Sequence, residues 1–151
     1  MKFAQKLVIF SLVIFSFSAF ACPDLTGMYL CSDSDNSFTQ KIKQEILSNG
    51  ITVYSIDDLS FTTDKKLSTY SNDTNGFVTK GEVLGECMGD GIISFSNKFD
   101  LSLEGHVLMS SATNTRILKS LDGTFRQTII GYLESPEHKL EINKDYTCKP
   151  Q

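Results

Sequence analysis

The stretch Ile93-Ser94-Phe95-Ser96-Asn97-Lys98-Phe99-Asp100-Leu101-Ser102-Leu103-Glu104-Gly105-His106-Val107-Leu108-Met109 decides the fold class. Its odd positions are apolar apart from Asn97 and Gly105, and its even positions are polar apart from Leu108. A period of two places one apolar row on one face of a strand, whereas a helix would scatter those residues round its axis. The stretch is long enough for two strands, with a reversal expected near Asn97-Lys98. An odd-length loop there keeps Phe95 and Leu101 on one face.

The same alternation continues on both sides. Leu25 to Cys31 reads as a first strand, and Phe38, Ile42 and Ile46 define one face of a second. Lys, Gln and Glu in that second segment also suit a helix, but the alternation and the following Ser48-Asn49-Gly50 turn favour a strand. Ile51 to Ile56 is the β-branched return strand, and Leu59 to Thr62 a short one. Thr63 to Asn75 is polar and reads as a long loop or a poorly formed edge hairpin. Gly76 to Met88, with glycines at 76, 81 and 85, reads as one bent strand or two short ones. Gly89-Asp90-Gly91 then turns the chain into the central stretch. Asp122-Gly123 signals a type I′ hairpin, whose two-residue loop pairs Leu121 with Thr124 and sets Leu118 opposite Gln127. His138 to Cys148 closes the chain as a last strand. Eight to ten strands, turn signals every 8–12 residues and short connections describe an all-β domain. An antiparallel up-and-down β-barrel is favoured because closure removes exposed edges; a β-sandwich is the alternative.

The ends of the chain speak to compartment. A basic start (Lys2, Lys6), an apolar run from Leu7 to Phe17 and Ala19-Phe20-Ala21 form a secretory signal peptide spanning 1–21. The mature domain is then 22–151, with no apolar run approaching the roughly 20 residues of a transmembrane segment. Residue Cys22 also raises lipoprotein anchoring, which Phe20 fits poorly, so the expectation is a secreted or periplasmic protein. Without Lys2 and Lys6 the balance of 14 basic to 18 acidic residues becomes 12 to 18, a net charge of −6. That excess, with no Lys/Arg cluster, opposes nucleic-acid binding.

Four cysteines in an exported chain argue for two disulfides. Strand direction suggests Cys22–Cys148 and Cys31–Cys87: the first and last strands, if adjacent and antiparallel, bring the outer pair to one end of the barrel.

The segment Leu25-Thr26-Gly27-Met28-Tyr29 resembles the Gly-x-Trp signature of the first strand in lipocalins and their calycin relatives. Tyr29 stands where that family has Trp, and Arg126 is the nearest counterpart of the basic residue that packs on it. The resemblance implies a small barrel with one open mouth and a ligand cavity.

No catalytic constellation emerges. Residues His106 and His138 read as surface histidines, there is no Gly-x-Ser-x-Gly elbow, and Asp33, Asp35, Asp57 and Asp58 match no calcium loop. Neither a metal nor a cofactor is expected. Gln40 and Gln44 alternate with Phe38, Ile42 and Ile46 on an inner face, as Gln127 does in its hairpin. Burying an unpaired amide costs roughly 1–3 kcal/mol, so Tyr29, Gln40, Gln44 and Gln127 are the candidate lining of a wet cavity. Two functions follow: a non-enzymatic barrel holding a small amphipathic ligand, or a secreted interaction or inhibitor domain acting on a protein partner.

Overall fold

The computed structural model describes residues 22–89 and 91–151; the expected signal peptide at 1–21 and Asp90 lie outside the described residues. Ten strands follow in order: β1 (Gly27–Ser32), β2 (Ser37–Ile46), β3 (Thr52–Ile56), β4 (Leu59–Thr62), β5 (Asp64–Thr74), β6 (Phe77–Gly89), β7 (Ile92–Leu103), β8 (His106–Lys119), β9 (Phe125–Glu134) and β10 (Lys139–Pro150). They form one antiparallel sheet in the order β4-β3-β2-β1-β10-β9-β8-β7-β6-β5, a nearly closed barrel. Every adjacent pair is consecutive in the chain except β1 with β10, so the molecule is the expected meander closed by its first and last strands. The remaining seam lies between β4 and β5; at it Thr63 extends the β3–β4 ladder, its N–H and hydroxyl both donating to the carbonyl of Thr52 (3.0 and 3.1 Å). Beside it the Phe61 ring of β4 lies over Gly85 of β6, in space that any Cβ there would fill. The glycines of β6 therefore receive aromatic side chains within one continuous strand.

Three details differ from the sequence expectations, each for a local reason. The central stretch does not reverse at Asn97-Lys98. It runs unbroken through β7 and turns at Glu104-Gly105, both with positive φ (50° and 83°), the geometry that favours a two-residue type I′ loop. A register shift beyond Leu101 absorbs the change of phase. Residue Asp122 is not in the left-handed region; Gly123 alone is (φ 85°), and its N–H bonds to the carbonyl of Ser120 at 3.2 Å. The turn is thus longer by one paired position, with Ser120 opposite Thr124, and Ile117, not Leu118, faces Gln127. That one-residue difference sends Ile117 into the core and leaves Leu118 exposed. Finally, Thr63 to Asn75 is no loop: most of it forms β5, paired along its length with β6.

Because the strands alternate in direction, the odd-numbered hairpin turns gather at one end of the barrel and the even-numbered turns at the other. The even-turn end is plugged. The first strand starts at Gly27 instead of Leu25, and residues 22–26 cross that end as a strap. Leu25 is fully buried; the Tyr54 hydroxyl donates to the Pro23 carbonyl at 2.5 Å, and the Lys119 ammonium donates to the Asp24 carbonyl. Around Leu25 pack Tyr54, Phe61, Ile93, Ile117 and Phe125, all at most 1% exposed.

The strap also explains the disulfides. Cysteines 22 and 87 are joined, as are Cys31 and Cys148, correcting the expected pairing. Cys148 lies directly across the β1–β10 ladder from Cys31, while Cys22, carried off the strand by the strap, reaches the end of β6. On a chain-entropy basis, separations of 65 and 117 residues correspond to about 4 and about 5 kcal/mol of stabilisation respectively.

Candidate functional site

The opposite end of the barrel carries the candidate site. Inward-facing residues there come from the same strands that fill the plugged end, but the side chains change. Along β7 the inner row runs Ile93, Phe95, Asn97, Phe99; along β6 it runs Val83, Gly81, Thr79 away from the plug. Residues Tyr70, Gly81 and Phe99 are paired across β5, β6 and β7, so a glycine stands between two aromatics. The Tyr70 ring occupies the space a Gly81 side chain would need. From there its hydroxyl donates to Asn97 Oδ1 at 3.0 Å. Burial holds the Tyr70 pKa above its ordinary value, opposed in part by that hydrogen bond.

With its oxygen engaged, Asn97 retains its two Nδ2 protons for another acceptor. Residues Asn72 and Thr79 are directly opposite each other on β5 and β6. Asp58 of the β3–β4 turn and Leu59 complete the wall across the seam. Together Asp58, Leu59, Tyr70, Asn72, Thr79, Asn97 and Phe99 line an open pocket of about 270 Å³, with Asp58 and Asn72 themselves exposed. Two larger depressions, of about 480 and 540 Å³, lie on the outer wall and are lined by charged residues of both signs such as Lys98, Glu82, Lys41 and Asp57. A smaller one, of about 170 Å³, is lined by Leu84, Phe95, Ser94, Ser96 and Asn114 together with the charged Lys65 and Glu86. The pocket at the seam is larger than that one and combines an apolar surface with converging uncharged polar groups and no cation, the usual character of a ligand site.

The residues singled out from sequence lie elsewhere. Tyr29 is buried edge-to-face against Phe125 (centroids 4.7 Å apart), and opposite it on β2 is Gln40. Gln40 and Gln127 are both buried, their Oε1 atoms each 3.9 Å from a sulfur of the Cys31–Cys148 disulfide. A disulfide sulfur has no proton to give, so these contacts are packing, not hydrogen bonds. Gln44 is half-buried opposite Tyr54, near the plug. The structure therefore gathers Tyr29, Gln40 and Gln127 about the β1–β10 closure and keeps them apart from the pocket. Arg126 does not meet Tyr29; it points outward and forms a bidentate ion pair with Asp145. Of the pocket residues, Asn97 was visible as the one amide interrupting the apolar row of the central stretch. Tyr70 and Asn72 carried the period-two signal inside a segment too polar to read as a strand.

Among the described residues no cluster of three or more His, Cys, Asp or Glu is placed to hold a metal, and no helix is long and apolar enough to cross a membrane. Both histidines are exposed, one beginning β8 and the other in the β9–β10 turn. Comparison with protein-family models, curated proteins and solved structures found no match to this chain.

Proposed function

We propose that the mature protein is an exported, non-enzymatic barrel that holds a small amphipathic molecule in the pocket at its open end. The observation that carries this reading is the pocket itself: Leu59 and Phe99 offer an apolar surface, and Tyr70, Asn72, Thr79 and Asn97 offer oriented hydrogen-bonding groups. Two disulfides suit an oxidising compartment, in keeping with cleavage after Ala21 and a mature chain starting at Cys22.

Titration with the neutral amphipathic fluorophore N-phenyl-1-naphthylamine tests this. Saturable binding at one site per chain, lost in Thr79→Trp, is expected; no saturable binding, or binding that Thr79→Trp leaves intact, contradicts it. The second reading is a docking or inhibitory role for the hairpin tips at the open end, where Phe77, Val107, Leu108 and Leu140 are exposed.

A further inference from the structure

The lining of the open-end pocket restricts the chemistry of its occupant, and this inference rests on the ligand-binding reading above. The pocket holds two carboxamides, a hydroxyl, a phenol and one carboxylate, and neither Lys, Arg nor His. The cations nearest in sequence, Lys80 beside Thr79 and Lys98 between Asn97 and Phe99, line a depression on the outer wall, and Lys41 and Lys43 belong to the outer cleft on the other side of the β3–β4 turn. Asp58 and the chain's overall acidity both repel an anion. A fatty acid, a phosphate ester or another anionic amphiphile has no counter-ion here, and desolvating its charge would go uncompensated.

The polar groups are also mixed in kind. Asn97 Nδ2 donates, Asp58 accepts, and Asn72 and Thr79 can do both. A pure donor or pure acceptor ligand would leave half of them unmatched, whereas a set of hydroxyl groups matches each in turn. Phe99, Leu59 and the ring of Tyr70 supply an apolar platform, as the carbon face of a ring requires. The volume, about 270 Å³, is just below the roughly 300–1,000 Å³ of ordinary ligand pockets, which suits one or two rings and not a long chain.

From these observations we infer that the pocket takes a neutral polyhydroxylated ring compound, that is, an uncharged saccharide unit stacked by its carbon face on Phe99 and hydrogen-bonded by Asn72, Thr79 and Asn97. Saturation-transfer NMR on the disulfide-intact protein tests the assignment. The probes are the phenyl β-glycosides of glucose, galactose, mannose and N-acetylglucosamine, with phenyl β-glucuronide, phenethylamine and 1-octanol as contrasts. At least one neutral glycoside should bind, with the glucuronide and the amine weaker by about tenfold or more. Asn97→Leu and Asn72→Leu should each weaken that glycoside by about tenfold, the worth of one hydrogen bond, while octanol binds as well or better. Octanol binding that Thr79→Trp removes, with no neutral glycoside bound, overturns the saccharide assignment and leaves the amphipathic-ligand reading standing. Preference for the glucuronide or the amine, or glycoside binding indifferent to both Asn substitutions, overturns the assignment as well. Binding of none of the probes overturns both readings.

Discussion

The two ends of this barrel are built from the same strands and differ in almost everything else. At the plugged end the inward side chains are mostly aromatic, aliphatic or half-cystine, with Thr52 and Gln44 among them, and the strap's Pro23 and Asp24 carbonyls are met by Tyr54 and Lys119. At the open end the same inward rows pass into Asn97, Thr79 and Asn72, and apolar residues there, such as Leu101, Met109 and Ile142, are only half-buried. Strand periodicity is indifferent to this change, because amides and hydroxyls fit a pleated face as readily as valine does. A barrel can thus concentrate its stability at one end and leave the other free for a ligand.

If that division is right, substitutions at the plugged end should affect stability and those at the open end binding. The largest effect is expected from Cys31→Ala with Cys148→Ala, which cuts the cross-strand link between the first and last strands. Denaturant unfolding should show a loss of about 5 kcal/mol. Next comes Leu25→Ala: emptying a fully buried plug site should cost about 3 kcal/mol, measured the same way. A loss under 1 kcal/mol would mean the strap does not seal the barrel. The tyrosines sharpen the contrast with pH. Burial raises the Tyr54 pKa far above its ordinary value, so the folded form stays protonated where the unfolded chain ionises. The associated stability is complete below about pH 10 and is lost as pH rises beyond it. Stability followed from pH 8 to 12 should fall less steeply in Tyr54→Phe, with a smaller flattening in Tyr70→Phe. At the open end, Asn97→Leu should change stability by less than about 1 kcal/mol, since the half-buried Tyr70 hydroxyl can turn to water. The smallest effect is expected for Gln40→Met with Gln127→Met. Those amide oxygens face disulfide sulfurs that offer no proton, so stability should stay level or rise slightly. A large loss would reveal a hydrogen-bond network about the closure.

What the sequence disclosed follows from which signals are local. The strand rows, the meander and the two disulfides were legible because alternation, short turns and cysteine count are properties of the chain itself. The register of the Asp122-Gly123 hairpin was not, since a type I turn with one left-handed glycine and a type I′ turn share the same dipeptide. The disulfide pairing failed because the polar segment 63–75 did not read as a strand: with β5 in place β6 runs opposite to β1, so Cys87 ends at the plugged end, beside the strap that carries Cys22. The pocket was the least legible feature. Tyr70 and Asn97 lie 27 residues apart, and only the three-strand row through Gly81 brings them together, whereas Gln40 and Gln127 looked like a lining but belong to the closure.

The most direct test of the division between the two ends is an NMR titration of uniformly ¹⁵N-labelled protein with the neutral phenyl glycoside that binds best. Shifts confined to the side-chain amides of Asn72 and Asn97 and the backbone amides of Thr79 and Phe99, with Leu25, Tyr29 and Phe125 unmoved, are the predicted result. Shifts centred on Leu25, Tyr29 or Phe125 would show that the ligand enters where the strap was taken to seal the barrel.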